Sequence, residues 1–260
     1  MGKIHFYKYQ ATGNDFVMID NREGKISLSE KQVARMCDRK FGIGADGVII
    51  IEKDPEQNFK MTYINPDGTQ SLCGNGCRSA VDFASHLGMV NGSASFLAYD
   101  GVHEASRQNN GLIRLAMNDV KEMKKTSDGG FFLNTGSPHY VRFVSDLKNY
   151  PVFDEGRKIR YAKEFEPTGA NANFVEPMPD GSLFVRTYER GVENETLSCG
   201  TGVTAVALAA SMRGYRSPVA MKVLGGELSV AFDKSDQNGH FHNIFLIGPA
   251  KMVFEGDYIV

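Results

Sequence analysis

Leu72-Cys73-Gly74-Asn75-Gly76-Cys77-Arg78 is answered late in the chain by Ser198-Cys199-Gly200-Thr201-Gly202. Each stretch puts a cysteine at the end of an extended run, follows it with Gly-x-Gly, and opens a segment of helical character. After the first, Ala80, Phe83, Ala84 and Leu87 recur at helical spacing. After the second, Val203 to Met212 is apolar almost all round, as in a helix with no solvent-facing side. A cysteine at a helix N-terminus meets backbone N–H groups without intrahelical acceptors and the positive end of the helix dipole. Both favour the thiolate, drawing a thiol of ordinary pKa about 8.5 toward neutrality. The same N–H groups make a cradle for a carboxylate. One such device reads as packing. Two in one chain read as a site with a thiol on each side.

The rest of the chain bounds what that site can be. Its 260 residues suit one large domain or two small ones. The apolar share of 42% and charged share of 23% are ordinary for a globular protein, and a net charge of -2 gives no electrostatic footprint for nucleic acid or an anionic membrane. The opening Met1-Gly2-Lys3-Ile4-His5-Phe6-Tyr7-Lys8 lacks the apolar core of a signal peptide, and no apolar run reaches membrane-spanning length. A cytoplasmic protein whose four cysteines stay as thiols is the expectation.

Outward from the two motifs, short strands dominate. Lys3–Tyr9 and Phe16–Asp20 flank Ala11-Thr12-Gly13-Asn14-Asp15, and Ser27-Leu28-Ser29-Glu30 has the capping-box pattern of a helix that carries Val33, Met36 and Cys37 on one face. Gly42-Ile43-Gly44-Ala45-Asp46-Gly47 is formally a dinucleotide-binding GxGxxG. The required order is strand then helix, whereas here a helix precedes and the β-branched strand Val48-Ile49-Ile50-Ile51 follows, so a turn lining a site is the better reading. Phe59–Ile64, Ala94–Tyr99, Val102–Ser106, Leu112–Met117, Tyr140–Val144, Ala170–Val175, Ser182–Tyr188, Val219–Val223, Glu227–Phe232, Asn243–Ile247 and Lys251–Phe254 read as strands. Lys121–Gly130 reads as a crossing between halves, and the stretch holding Asp146, Lys148 and Asp154 as polar connection. A degenerate repeat is visible: Asp15-Phe16-Val17 answers Asn173-Phe174-Val175, and Met61-Thr62-Tyr63 answers Val185–Tyr188. The expected class is α/β (α+β), with two pseudo-symmetric halves, each a mixed, curled sheet around a helix that starts at a cysteine. The halves are 1–118 plus 249–260 and 119–248, with the active site in a cleft between them.

Two thiols facing one carbon suit inversion of a stereocentre. One thiolate takes the proton from one face, the other thiol returns one from the opposite face, and fixed dipoles in a dry site stabilise the carbanion beside a carboxylate. A cofactor-independent racemase or epimerase acting α to a carboxylate follows. Other readings stand beside it. Cys37 and Cys77 fit buried structural thiols. A zinc site would need better spacing than Cys-x-x-x-Cys plus scattered singles. A Cys–His thiol hydrolase with His139 as base leaves the second motif unexplained, and an anion-binding module gives no reason for paired thiols.

At these residues the chain resembles diaminopimelate epimerase from end to end. Ala11-Thr12-Gly13-Asn14-Asp15-Phe16-Val17, Phe41-Gly42-Ile43-Gly44-Ala45-Asp46-Gly47, Asn65-Pro66-Asp67-Gly68, Cys73-Gly74-Asn75-Gly76, Tyr188-Glu189-Arg190-Gly191 and Cys199-Gly200-Thr201-Gly202 stand in the family's order. The resemblance implies two pseudo-symmetric α/β halves and interconversion of LL- and meso-diaminopimelate without pyridoxal phosphate or metal. It implies a small amino-acid substrate, no nucleic-acid or membrane partner, a cytoplasmic location and a homodimer. Carried over, Cys73 and Cys199 are the acid/base pair, with Cys73 serving the LL substrate. Gly74, Asn75, Gly200 and Thr201 hold the reacting-centre carboxylate. Asn14, Asn65, Asn171 and Arg190 fix the distal amino-acid end, and Glu189 and His139 assist at the amino group and the thiols. Ser137 stands where the family commonly has Asn, Gly47 where some members have Gln, and the loop Gly191–Thr196 is one residue longer than usual. A racemase of another amino acid on the same fold is the near competitor.

Overall fold

The computed structural model describes residues 2–235 and 239–259. Contacts divide the chain into two units, Met1–Leu115 with Gly248–Val260, and Ala116–Ile247. The stretch Lys121–Gly130 lies inside the second of these and carries a strand.

In the first unit the chain runs β1 (Lys3–Ala11), β2 (Asn14–Asp20), α1 (Glu30–Cys37), β3 (Gly47–Glu52), β4 (Phe59–Ile64), α2 (Gly74–His86), β5 (Ser93–Ala98), β6 (Gly101–Arg107) and β7 (Ile113–Ala116). In the second it runs β8 (Met123–Lys125), β9 (Phe131–Asn134), β10 (Pro138–Phe143), α3 (Val152–Arg160), β11 (Asn171–Pro177), β12 (Leu183–Glu189), β13 (Asn194–Thr196), α4 (Gly200–Ser211), β14 (Val219–Val223), β15 (Gly226–Lys234) and β16 (Phe241–Gly248). The last strand, β17 (Lys251–Ile259), pairs antiparallel with β1 and so belongs to the first unit.

The pairing sequence is the same in both. From β1 to β7 successive pairs are antiparallel, parallel, antiparallel, parallel, antiparallel, antiparallel. From β9 through β10, β11, β12, β14, β15 to β16 the order repeats. The parallel steps need crossovers, and helices supply them: α1 and α3 lie in the first crossover of each unit, α2 and α4 in the second. By this topology β11 is the counterpart of β3, not of β2. The match of Asp15-Phe16-Val17 to Asn173-Phe174-Val175 was therefore a chance Phe-Val string one strand out of step, whereas β4 and β12 do correspond.

Alternation along the strands builds two layers on each sheet. In the second unit Val141, Val175, Leu183 and Val185 pack with Val203–Ala210 of α4, while Tyr140, Phe174 and Tyr188 face the other way, with Val152 and Ile159 of α3. In the first, Val17, Ile19, Val48 and Ile50 pack with Val33, Met36 and Cys37 of α1. Phe16, Met18, Ile49 and Met61, of opposite parity, are buried on the α2 side of the sheet. Gly200 and Gly202–Ala210 of α4 are buried, which accounts for a helix apolar on every face.

Two local readings need correction. The capping box that starts α1 is Ser29 with Gln32, not Ser27 with Glu30: the Ser29 hydroxyl accepts from the Gln32 N–H, and the Gln32 side chain accepts from the Ser29 N–H. The polar stretch after β10 contains α3. Its buried face is Val152, Gly156 and Ile159, and the glycine at its centre gives no hydrophobic signal.

Candidate active site

Cys73 and Cys199 are the N-caps of α2 and α4, in matched extended conformations with φ/ψ of -134/114 and -118/110. Each cysteine carbonyl takes the first helical bond, from Cys77 N–H at 2.8 Å and from Val203 N–H at 2.9 Å. The next N–H groups, those of Gly74-Asn75-Gly76 and Gly200-Thr201-Gly202, belong to the first turn and have no acceptor within the helix. Close packing explains the second glycine of each motif. A Cβ on Gly202 would stand 2.5 Å from Asn173 Oδ1 and 3.2 Å from Cys199 Sγ. Gly47 is likewise imposed by packing, since a Cβ there would fall 2.4 Å from the Tyr63 ring.

Around Cys73 the partners come from the start of β2 and the first turn of α2. Asn14 shares the parity of Phe16 and Met18, which aims it at α2. The Cys73 thiol donates to Asn14 Oδ1 at 3.3 Å, and Asn75 Nδ2 donates to the same oxygen at 3.2 Å. Asn65 is not in this group; its Nδ2 ties the approach loop together, donating to Thr69 Oγ1 and Ser71 Oγ, each at 3.1 Å. Two residues that the sequence did not single out complete the cluster. Asp46 Oδ2 accepts from Asn14 Nδ2 at 2.6 Å, and Arg78 Nη2 donates to Asn75 Oδ1 at 2.9 Å. Arg78 is fully buried, and its Nε and Nη1 have no hydrogen-bond partner among the described residues. Burial draws its guanidinium down to about 10. The signal for Arg78 was its setting, an arginine embedded among Cys77, Ser79, Ala80 and Val81.

Around Cys199 the same strand parity brings His139 of β10, Asn171 and Asn173 of β11, and Thr187 of β12 to the α4 side of the sheet. Asn173 Nδ2 donates to the Tyr140 carbonyl at 2.9 Å and to His139 Nδ1 at 3.1 Å, while its Oδ1 accepts from Thr187 at 3.0 Å. The imidazole therefore accepts at Nδ1 and carries its proton on Nε2, which lies 2.9 Å from Thr201 Oγ1 and 3.0 Å from Ser137 Oγ. Burial, with the Arg190 charge adding to it, pushes His139 down to about 3. Thr201 Oγ1 is 3.5 Å from Cys199 Sγ, so a hydroxyl links the imidazole to the thiol. The Arg190 N–H donates to Asn171 Oδ1 at 2.8 Å, and its guanidinium reaches the Thr168 carbonyl at 3.3 Å. Glu189 Oε1 accepts from the Thr196 hydroxyl.

Cys37 and Cys77 are buried, and burial pushes both thiols up, Cys37 to about 11. Neither caps a helix. Among the described residues no helix is long and apolar enough to cross a membrane.

Residues 6–122 and 131–253 match the family model for diaminopimelate epimerase. The diaminopimelate epimerase of Flavobacterium psychrophilum is 48% identical over 259 residues, covering 97% of this chain and 99% of that one. That of Aquifex aeolicus is 40% identical over 274 residues, covering 97% of each. Among solved structures, a phenazine biosynthesis protein of the PhzF family from Bacillus anthracis covers 100% of both chains with a TM-score of 0.78 at 15% identity, a likeness of fold alone.

Proposed function

We propose, since the chain belongs to the diaminopimelate epimerase family, that it interconverts LL- and meso-2,6-diaminopimelate, an isomerase step in lysine and peptidoglycan-precursor synthesis. The observation that carries the reading is the repeated cysteine N-cap, at the same topological position in each unit and with the same backbone geometry.

Inversion at Cα asks for a base on one face and an acid on the other, and two thiols can exchange those roles in a reaction run in both directions. Cys73 takes the α-proton of the LL substrate and Cys199 delivers one from the other face; the roles exchange for the meso compound. The charge that develops beside the carboxylate is stabilised by backbone N–H groups of Gly74, Asn75, Gly200 and Thr201 and by the two helix dipoles, which are fixed before reaction. Arg190 pairs the distal carboxylate as a fork, while Asn14, Asn65 and Asn171 bind the distal amino-acid end. Glu189 and the neutral His139 act at the reacting amino group and on the thiols, His139 through Thr201. The enzyme works in the cytoplasm as a homodimer.

Incubation in deuterium oxide with LL-diaminopimelate and a panel of other amino acids tests the substrate. Deuterium should enter Cα of diaminopimelate, with meso product appearing, and stay out of the others. Exchange confined to a different amino acid would replace the substrate while leaving the two-thiol chemistry.

A further inference from the structure

We propose that Asp46 and Arg78 are positioning residues for Cys73, each fixing which way a carboxamide beside the thiol faces and thereby how readily the thiol gives up its proton. The inference rests on the reading of Cys73 as an acid/base group.

The polarity of every bond in the chain of contacts is fixed from its two ends. At one end Asp46 accepts three times. Its Oδ2 receives Asn14 Nδ2 at 2.6 Å and the Asp15 N–H at 3.2 Å, and its Oδ1 receives Arg39 Nη2 at 2.7 Å. A carboxylate in this arrangement offers Asn14 only an acceptor, so the amide must turn its nitrogen to Asp46 and its oxygen to sulfur. At the other end Arg78 only donates. Its Nη2 takes Asn75 Oδ1 at 2.9 Å and Thr12 Oγ1 at 3.3 Å, which forces Asn75 to turn its nitrogen to Asn14 Oδ1. With both anchors gone nothing in this chain of bonds sets its polarity, whereas either anchor alone still sets it through the Asn75–Asn14 bond.

The two anchors act on Cys73 in opposite senses. An oxygen facing the S–H accepts from the thiol and favours its protonated form. The Arg78 cation, joined to the thiol through Asn75 and Asn14, favours the thiolate. A buried guanidinium with two unpaired donors is costly and is explained poorly by packing. Among the described residues of the unit, the titratable groups around Cys73 include Tyr63 of β4, Cys37, Asp46 and Asp67 beside that tyrosine, Cys77 and Arg78 of α2, and Asp100 toward Cys77. Lys8, Asp15 and Arg39 stand behind Asp46. Of these, only Asp46 and Arg78 are joined to the thiol through a carboxamide whose orientation they fix.

The test is the pH dependence of Cys73 alkylation by iodoacetamide in substrate-free enzyme, read by fragment mass spectrometry so that Cys73 is separated from Cys77 and Cys199. Asp46→Asn removes the negative charge one carboxamide away from the sulfur and, with Asn75 still holding the Asn14 oxygen in place, leaves that oxygen a weaker acceptor for the S–H. The titration midpoint should fall, with alkylation at neutral pH faster by roughly threefold or more, the net worth of one hydrogen bond. Arg78→Met removes the cation at similar length, and the midpoint should rise with alkylation slowed by at least as much. Arg78→Lys keeps the charge and should lie between Met and wild type. Midpoints that stay at the wild-type value, or that move in the same direction in Asp46→Asn and Arg78→Met, overturn the proposal. If Arg78→Met does not fold, Asp46→Asn and Arg78→Lys decide it, since Asp46 is partly exposed and its replacement is isosteric. The readout is independent of turnover: a Cys73→Ser enzyme that still epimerises would remove the acid/base role without touching the titration result.

Discussion

A histidine held neutral among carboxamides shows how much of the site is set by single residues. His139 has no exposure, its Nδ1 takes a proton donor from Asn173, and its pKa is pushed down to about 3 from the ordinary 6.5. In the unfolded chain the same imidazole titrates normally, so between these values the unfolded state holds more protons than the native one. The stabilisation is complete above about pH 6.5 and is lost as pH falls toward 3. Unfolding free energy measured by denaturant titration should therefore drop between pH 6.5 and 4, and His139→Gln should flatten that drop. Asp15, lowered to about 2 by Arg39 and Lys8 against its burial, acts in the same sense but only below its ordinary value of 3.8, outside the range from pH 6.5 to 4. An equal slope in the variant would show that His139 is not the group responsible. Residues of this kind divide by legibility. Cys73 and Cys199 were readable because Cys-Gly-x-Gly before a helical stretch states its own geometry. Asp46 and Arg78 were not, because their roles depend on amide orientations that only the assembled strand parity and helix start define.

At the scale of elements, strands with alternating or β-branched patterns were recovered nearly to their ends, as Phe59–Ile64 and Val219–Val223 show. What escaped were elements whose burial falls on uninformative residues: β8 and β13, three residues each, β9, and above all α3. Gly156 is the clearest case. A Cβ there would stand 2.3 Å from Tyr188 Cβ and 2.7 Å from its Cγ, so the helix lies on β12 only because it has no side chain at that point. Two effects compete in Gly156→Ala. Helix propensity favours alanine by about 1 kcal/mol, while forcing a methyl into a packed contact costs about 1–3 kcal/mol. The clash is with the root of a buried side chain that cannot swing away, so overpacking should win, giving a net loss of about 1–2 kcal/mol by chemical denaturation. A stabilised variant would mean that α3 lifts off β12 freely and that its packing contributes little.

The whole molecule is a repeat at the level of topology more than of sequence. The strand-pairing order, the place of each crossover helix and the cysteine at the second crossover recur, while most side chains do not. That is why the duplication was legible at the two motifs and was misaligned at Asp15 and Asn173, where a short string stood in for element order. The divergence is functional in character. Cys73 meets the oxygen of a carboxamide, an acceptor, whereas Cys199 meets a threonine hydroxyl backed by a protonated imidazole nitrogen, a potential donor. The frames are alike and their hydrogen-bond polarity differs. The central claim is that both thiols are required, and it is tested by assaying Cys73→Ser and Cys199→Ser separately for conversion of LL- to meso-diaminopimelate, with circular dichroism to confirm that each is folded. The account predicts that conversion falls at least about a thousandfold in each folded variant, because a serine hydroxyl is far too weak an acid to replace a thiol. Conversion near the wild-type rate in either one would contradict it.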